Sequence, residues 1–434
     1  MSHDPLLLAR IAETVGTPFY CYDAPTLRKR ADRVRRAFPA ADFYYSMKAN
    51  PNRSVVETLR MAGLGCELCS LGELEIALAA GVLPRDMIFV GPAKGSVEVE
   101  RALEVGVSVV VAESMEELDL VQSAAKAAGR RQAIALRINP AFTTASARLA
   151  MSGRATQFGI DSDRLDMALA SIAAKPNLEL HGLHVYMGSR ILDYRAVADN
   201  TRRILALADE IAAKSGKRLS LVDLGGGFGV PYFAGEAELD LAALSVDLAE
   251  ELARRRREHP QTRIVFELGR YLTASAGVFV TRVRSVKEVK GRRFAVCDGG
   301  SNCHSAAAGH GSALRKNFPV SVLGHAGNST SKWTVTGPLC TPMDIIAQDV
   351  ELPDPAPGDL ICIHQSGAYG PSASPVHFLS FGHPAEVMVD DGQIRVVREA
   401  DDLKHILAMQ IPRMIDPLHV GKATTQKEEA YVPA

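Results

Sequence analysis

The sequence predicts a (β/α)8 barrel followed by a mainly antiparallel β domain, and three observations predict it. Between residues 17 and 200 short apolar runs alternate with amphipathic helical patterns, the texture of strand–helix–strand units around a parallel sheet. Eight runs qualify as strands, at residues 43–47, 65–69, 87–90, 108–111, 133–138, 179–186, 220–224 and 263–267, and eight is the number that closes a barrel. After about residue 275 the runs fall at 278–289, 293–296, 332–336 and 359–363, separated by turns and with little helical period. The 434 residues therefore divide into an N-terminal segment packing on the β domain (1–25), the barrel (26–275), the β domain (276–412) and a polar tail (413–434).

Composition narrows the function. With 47% hydrophobic and 23% charged residues the chain buries a large core, and a net charge of −1 gives no electrostatic footprint for nucleic acid. No run of about 18 apolar residues or basic leader occurs, so no membrane span is expected. Seven scattered cysteines, an odd number, point to reduced thiols and a cytoplasmic protein. Cys66 and Cys69 have metal or redox spacing, but no second pair accompanies them, so they read as packing cysteines and no metal is expected. The arginines at 254–257 close an amphipathic helix and read as its solvated C-terminus.

Functional groups in a (β/α)8 barrel lie at the C-terminal ends of its strands, and Lys48, Glu67, Arg137, His184, Asp223 and Glu267 all fall there. Lys48 follows the aromatic run at 43–47 and precedes the breaker Asn50-Pro51. Taken alone, such a lysine would reach water along its own stem. The run Gly225-Gly226-Gly227 after an apolar strand lets backbone amides approach an anion, although many loops use glycine for conformation only. Arg270 adds a planar fork for phosphate, Ser189 another donor, and Glu267 an inward carboxylate. An amine, a phosphate cradle and a carboxylate together specify pyridoxal 5'-phosphate: the lysine forms the Schiff base and the carboxylate keeps the pyridine nitrogen protonated.

These residues resemble those of the fold-type III pyridoxal-phosphate decarboxylases, the diaminopimelate and ornithine decarboxylase family. The resemblance covers residues 17–395. Its motifs are Tyr45 to Asn50, Gly63 to Ser70 with Glu73, Gly182-Leu183-His184 with Gly188-Ser189, Gly225 to Phe228, Glu267 with Gly269-Arg270, Asp298-Gly299-Gly300, Gly337 to Cys340 with Asp344, and Gly367 to Gly370. It implies an amino-acid α-decarboxylase with an alanine-racemase-like barrel and β domain. By that resemblance Lys48 is the Schiff-base lysine, Glu267 faces the pyridine nitrogen, and Ser189, Gly226, Gly227, Gly269 and Arg270 hold the phosphate. Glu67, His184 and Tyr186 complete the cofactor side, and Tyr369 closes over it. Cys340 crosses a homodimer interface to protonate the carbanion, so the active sites are shared, while Arg137, His310, Thr341 and Asp344 face the substrate.

Departures from the family pattern bear on substrate. Tyr186 stands where a histidine usually stacks on the cofactor, and Glu67 where an aspartate is common. Diaminopimelate decarboxylases carry an arginine and a tyrosine where this chain has Ala306 and His310, and a glutamate where Thr341 follows Cys340. Each missing charged partner is worth about 2 to 5 kcal/mol when desolvated. Free meso-diaminopimelate is thereby disfavoured. The segments 304–319 and 340–344 and His383-Pro384 resemble a branch that includes a decarboxylase of carrier-protein-bound glutamyl groups and relatives near exopolysaccharide and exosortase genes. Two rival readings are a racemase or epimerase, against which Glu267 and the Cys340 motif count, and a catalytically silent homologue, against which the intact lysine, glycine loop and cysteine count.

Overall fold

The computed structural model describes residues 4–143, 149–150, 152–309, 316–324 and 330–411. Eight parallel strands close the predicted barrel: Asp42–Ser46, Gly65–Leu68, Met87–Phe89, Val109–Ala112, Gln132–Asn139, Leu178–His184, Leu221–Asp223 and Arg263–Leu268. Arg263–Leu268 pairs with Asp42–Ser46 in the register Val265 to Asp42, and Val110 opposite Ile134 joins the two middle strands. Tyr44, Ile88, Val109, Val111, Ala135, Leu221 and Val265 fill the barrel with side chains, so it is a packed core with function only at its rim. Outside it, Phe266 stacks on Phe43 with ring centres 5.7 Å apart and tilts against Phe38 and Phe228 at 5.8 and 5.5 Å. Several surrounding helices begin at side-chain caps that satisfy their first amides, as when Asp23 accepts from Thr26, Ser70 from Glu73 and Asp240 from Ala243.

A mostly antiparallel nine-stranded sheet forms the second body. Its longest strand, Gly277–Val289, pairs antiparallel with Phe19–Asp23, which also runs parallel to Ala385–Asp390. The helix Pro5–Val15 lays Leu8, Ile11 and Ala12 against Phe19, Cys21, Val278 and Val387 of this sheet. The sheet has more strands than the sequence pattern predicts. Ile345–Pro353 is interrupted by register shifts against its neighbour and by Asp349 at φ 51°, which breaks its alternation. Gln393–Arg398 is largely exposed on both faces and so shows no alternation.

The two bodies meet at the barrel mouth. Gly367 N–H donates to the Ala274 carbonyl (3.0 Å), Asn50 Nδ2 to the Gly367 carbonyl (3.1 Å) and Tyr369 N–H to the Ala49 carbonyl (2.7 Å). The last bond holds Tyr369 at φ 53°, a left-handed conformation unfavourable for an aromatic residue. Replacing Phe266 by Ala opens the aromatic cluster behind the mouth and should lower the unfolding free energy by about 3–5 kcal/mol in urea titration.

Candidate active site

Lys48 sits two residues beyond its strand, in the 3-10 turn Met47–Ala49, which lifts its side chain over the rim instead of into the packed interior. Its Nζ lies 2.9 and 3.0 Å from the two carboxylate oxygens of Glu67, which is wholly buried at the end of the adjacent strand. Burial opposes the charge on Lys48, but Glu67 and then other neighbours outweigh it and hold the amine well above its usual pKa. Cys69 donates its thiol proton to Glu67 Oε1 at 2.9 Å, and the Cys69 amide donates to Glu73 Oε2 at 2.7 Å.

A cavity opens beside this pair, lined by Ser46, Lys48, Tyr186, Ser189, Gly227, Phe228, Glu267, Leu268, Gly269, Arg270 and Tyr369. The structure thus gathers Lys48, Tyr186, Ser189, Gly227, Glu267, Gly269, Arg270 and Tyr369 around one space, from chain segments that begin at residue 46 and end at 369. Lys48 Nζ stands 5.7 Å from the centre of the Tyr186 ring. The glycine run is required by space and by conformation. Gly225 and Gly227 have φ of 62° and 106°, and a side chain on Gly226 would collide with the Glu267 carbonyl. Glu267 N–H donates to the Gly225 carbonyl at 2.7 Å, so the cradle is stitched to the strand that carries the carboxylate.

Behind the cavity His184, Asp223 and Glu267 form a buried cluster. His184 Nε2 lies 3.2 Å from Glu267 Oε2, and Asp223 Oδ1 accepts from the Gly225 amide at 2.9 Å. Burial alone would raise the Glu267 carboxyl, but His184 and the Lys48 ammonium hold it at about 2. Burial and the Glu267 charge push Asp223 the other way, well above the usual carboxylate range. Glu267 Oε1 and Asp223 Oδ2 are both buried with no other donor against them, and the two side chains interact with each other. The ionised Glu267 carboxylate, the glycine cradle and the amine fit pyridoxal phosphate. His184, Asp223 and Glu267 offer ligand atoms within 4.8 Å of one another, the one compact metal-type group among the described residues.

Other assignments from sequence are corrected here. Arg137 does not line the cavity: it pairs with Glu113 at 2.7 Å inside the barrel wall, its guanidinium 4.7 Å from the Phe158 ring centre. Asp344 is buried and spends both oxygens on backbone amides, Ser301 at 2.6 Å and Leu339 at 2.8 Å, so it clamps the Cys340 loop. The Thr341 hydroxyl accepts from the Met343 amide at 3.3 Å in its own turn. Cys340 is exposed and does not line the cavity, and His310 lies outside the described residues. Ser46 and Phe228, which lie inside the motifs Tyr45 to Asn50 and Gly225 to Phe228, received no individual role from sequence, and Cys69, read as a packing cysteine, instead donates to Glu67.

The comparisons with known proteins agree with this geometry. Residues 25–274 match the family model of the pyridoxal-dependent decarboxylases, pyridoxal binding domain. The chain is 35% identical to the L-glutamyl-(BtrI acyl-carrier protein) decarboxylase of Niallia circulans, over 97% of this chain and all of the relative. It is 32% identical to the diaminopimelate decarboxylase of Vibrio cholerae, over 93% of this chain and 94% of that one. The crystal structure of Helicobacter pylori diaminopimelate decarboxylase with L-lysine superposes with a TM-score of 0.84 at 27% identity, covering 93% of this chain and 98% of the other. The chain belongs to the pyridoxal-phosphate-dependent decarboxylases of fold type III. It is a carboxy-lyase whose cofactor is pyridoxal 5'-phosphate. No helix among the described residues is long and apolar enough to cross a membrane.

Burial, and next the Glu67 charge, push the Glu73 carboxyl up to about 7 from an ordinary 4.5. The unfolded chain therefore gives up this proton first, and stability falls as pH rises from about 4.5 towards 7. Glu73→Gln, which still accepts the Cys69 amide, should flatten that decline when urea midpoints are compared at the two ends of the window.

Proposed function

We propose that this enzyme removes the α-carboxylate from an aminoacyl group attached through its side chain to a carrier protein, a glutamyl group being the best match, and that it works as a homodimer with shared sites in the cytoplasm. The observation that carries the substrate reading is the end-to-end similarity to a carrier-glutamyl decarboxylase, in a chain that has Ala306 and Thr341 where a free diamino acid would need charged partners. Chemistry fixes the attachment: α-decarboxylation needs a free α-amine and a free α-carboxylate, which leaves only the γ-carboxyl of glutamate for the tether.

When bound, pyridoxal phosphate supplies the aldehyde that takes the substrate amine and a protonated ring that accepts the electron pair of the breaking carbon–carbon bond. The chain's residues do the rest. Ser189, the amides of Gly227 and Gly269, and Arg270 bind the phosphate. Glu267, ionised at neutral pH, holds a proton on the pyridine nitrogen. Glu67, through both carboxylate oxygens, orients the Lys48 amine. Tyr186 and Tyr369 exclude water from the two sides. Cys340 of the partner subunit delivers a proton to the α-carbon, since its own protomer's cavity does not reach it.

The test is carbon dioxide release from free amino acids, diamino acids and a γ-glutamyl carrier protein, compared in parallel. Release from the carrier-bound substrate alone supports the proposal; release from a free amino acid alone overturns the tether. Lys48→Ala should abolish the cofactor's lysine-bound absorbance and lower turnover at least a thousandfold or so. Cys340→Ala should retain that absorbance and lower turnover about a hundredfold. Mixing the two inactive variants should restore about a quarter of wild-type activity, because half the dimers are mixed and each has one intact site.

A further inference from the structure

Arg270 is aimed by aromatic groups and not by an acid. The groups that act on its charge are Tyr232, Tyr369 and Tyr186. Its Nη1 donates to the Tyr232 hydroxyl at 3.1 Å, its guanidinium carbon lies 4.4 Å from the Tyr369 ring centre, and its buried Nε has no partner. Tyr232 is buried in the loop that follows the glycine run, between two guanidinium groups: Arg190 at 5.2 Å and Arg270 at 5.4 Å from its ring centre. Behind it stands Phe318 of the β domain, ring centres 4.4 Å apart.

We propose that Tyr232 is the positioning residue that aims Arg270 at the cofactor phosphate, with Phe318 as the wall that keeps Tyr232 in place. The proposal rests on the reading of Arg270 as a phosphate ligand. An arginine side chain has many rotamers, and a fixed guanidinium needs an acceptor. A carboxylate would fix it too, but would neutralise the charge meant for phosphate. A buried phenol accepts one hydrogen bond, stays neutral, and leaves the remaining donors turned to the cavity. Stacking on Tyr232 and Tyr369 holds the guanidinium plane without adding negative charge.

The test compares pyridoxal phosphate with pyridoxal, which lacks only the phosphate, by fluorescence titration of the cofactor-stripped full-length protein. Arg270→Gln reads the underlying assignment: it should weaken pyridoxal phosphate at least about tenfold and leave pyridoxal unchanged. Tyr232→Phe deletes the hydroxyl and keeps the stacking, and should weaken pyridoxal phosphate about three- to tenfold, again without effect on pyridoxal. Phe318→Leu keeps the hydroxyl but loosens the wall, and should give a smaller loss with the same selectivity, which carries the test if Tyr232→Phe fails to fold. If Arg270→Gln does not discriminate between the ligands, the phosphate reading falls. If it does and Tyr232→Phe weakens both ligands equally or neither, the role of Tyr232 is overturned while that of Arg270 stands.

Discussion

The ion pair between Lys48 and Glu67 sets the terms for the rest of the site. A wholly buried carboxylate is tolerable only with a charge or donors against it, and here the amine and the Cys69 thiol both serve one carboxylate. The pair in turn decides where negative charge can sit nearby. Glu267, helped by His184 and then by Lys48, stays ionised, while burial and the Glu267 charge push Asp223 up. Two acids in one buried cluster are thus driven in opposite directions by their surroundings alone, which is how a site keeps one ionised carboxylate without favouring a second charge.

Geometry for this arrangement comes from both bodies of the chain. The barrel contributes strand ends, which are rigid, and the β domain contributes the loop that ends in Tyr369, bonded to the carbonyl next to Lys48. The cavity is therefore walled on one side by a segment that belongs to a different sheet, so loosening the junction loosens the site. Glycines at the crossing points make the approach close: a side chain on Gly277 or Gly367 would collide with the other's backbone or with Thr273.

Much of this was legible in the sequence. The eight barrel strands follow from alternating periodicity, and the cavity residues from their places at strand ends and in glycine motifs. What could not be read are distances across the fold. Asp344 resembles a substrate ligand because it is an acid close to Cys340 in its motif, yet one oxygen is consumed by the Leu339 amide of its own loop and the other by the Ser301 amide, 43 residues away. Arg137 sits at a strand end as expected, but Glu113, just past the end of the neighbouring strand, claims it first. Periodicity cannot reveal such competition, because it reports which face a residue occupies and not which partner reaches it.

The strand Phe19–Asp23 has a consequence for how the chain is made. All five of its residues are buried, and both of its neighbours, Gly277–Val289 and Ala385–Asp390, come from the other half of the chain. On the ribosome it emerges long before either, so it waits with an unpaired, apolar backbone while the barrel assembles beside it. A fragment cut after the barrel would keep that orphan strand permanently, with the template for edge-to-edge aggregation that it presents. Synthesis of this enzyme is therefore finished, in a structural sense, only when the last third of the chain returns to cover its beginning.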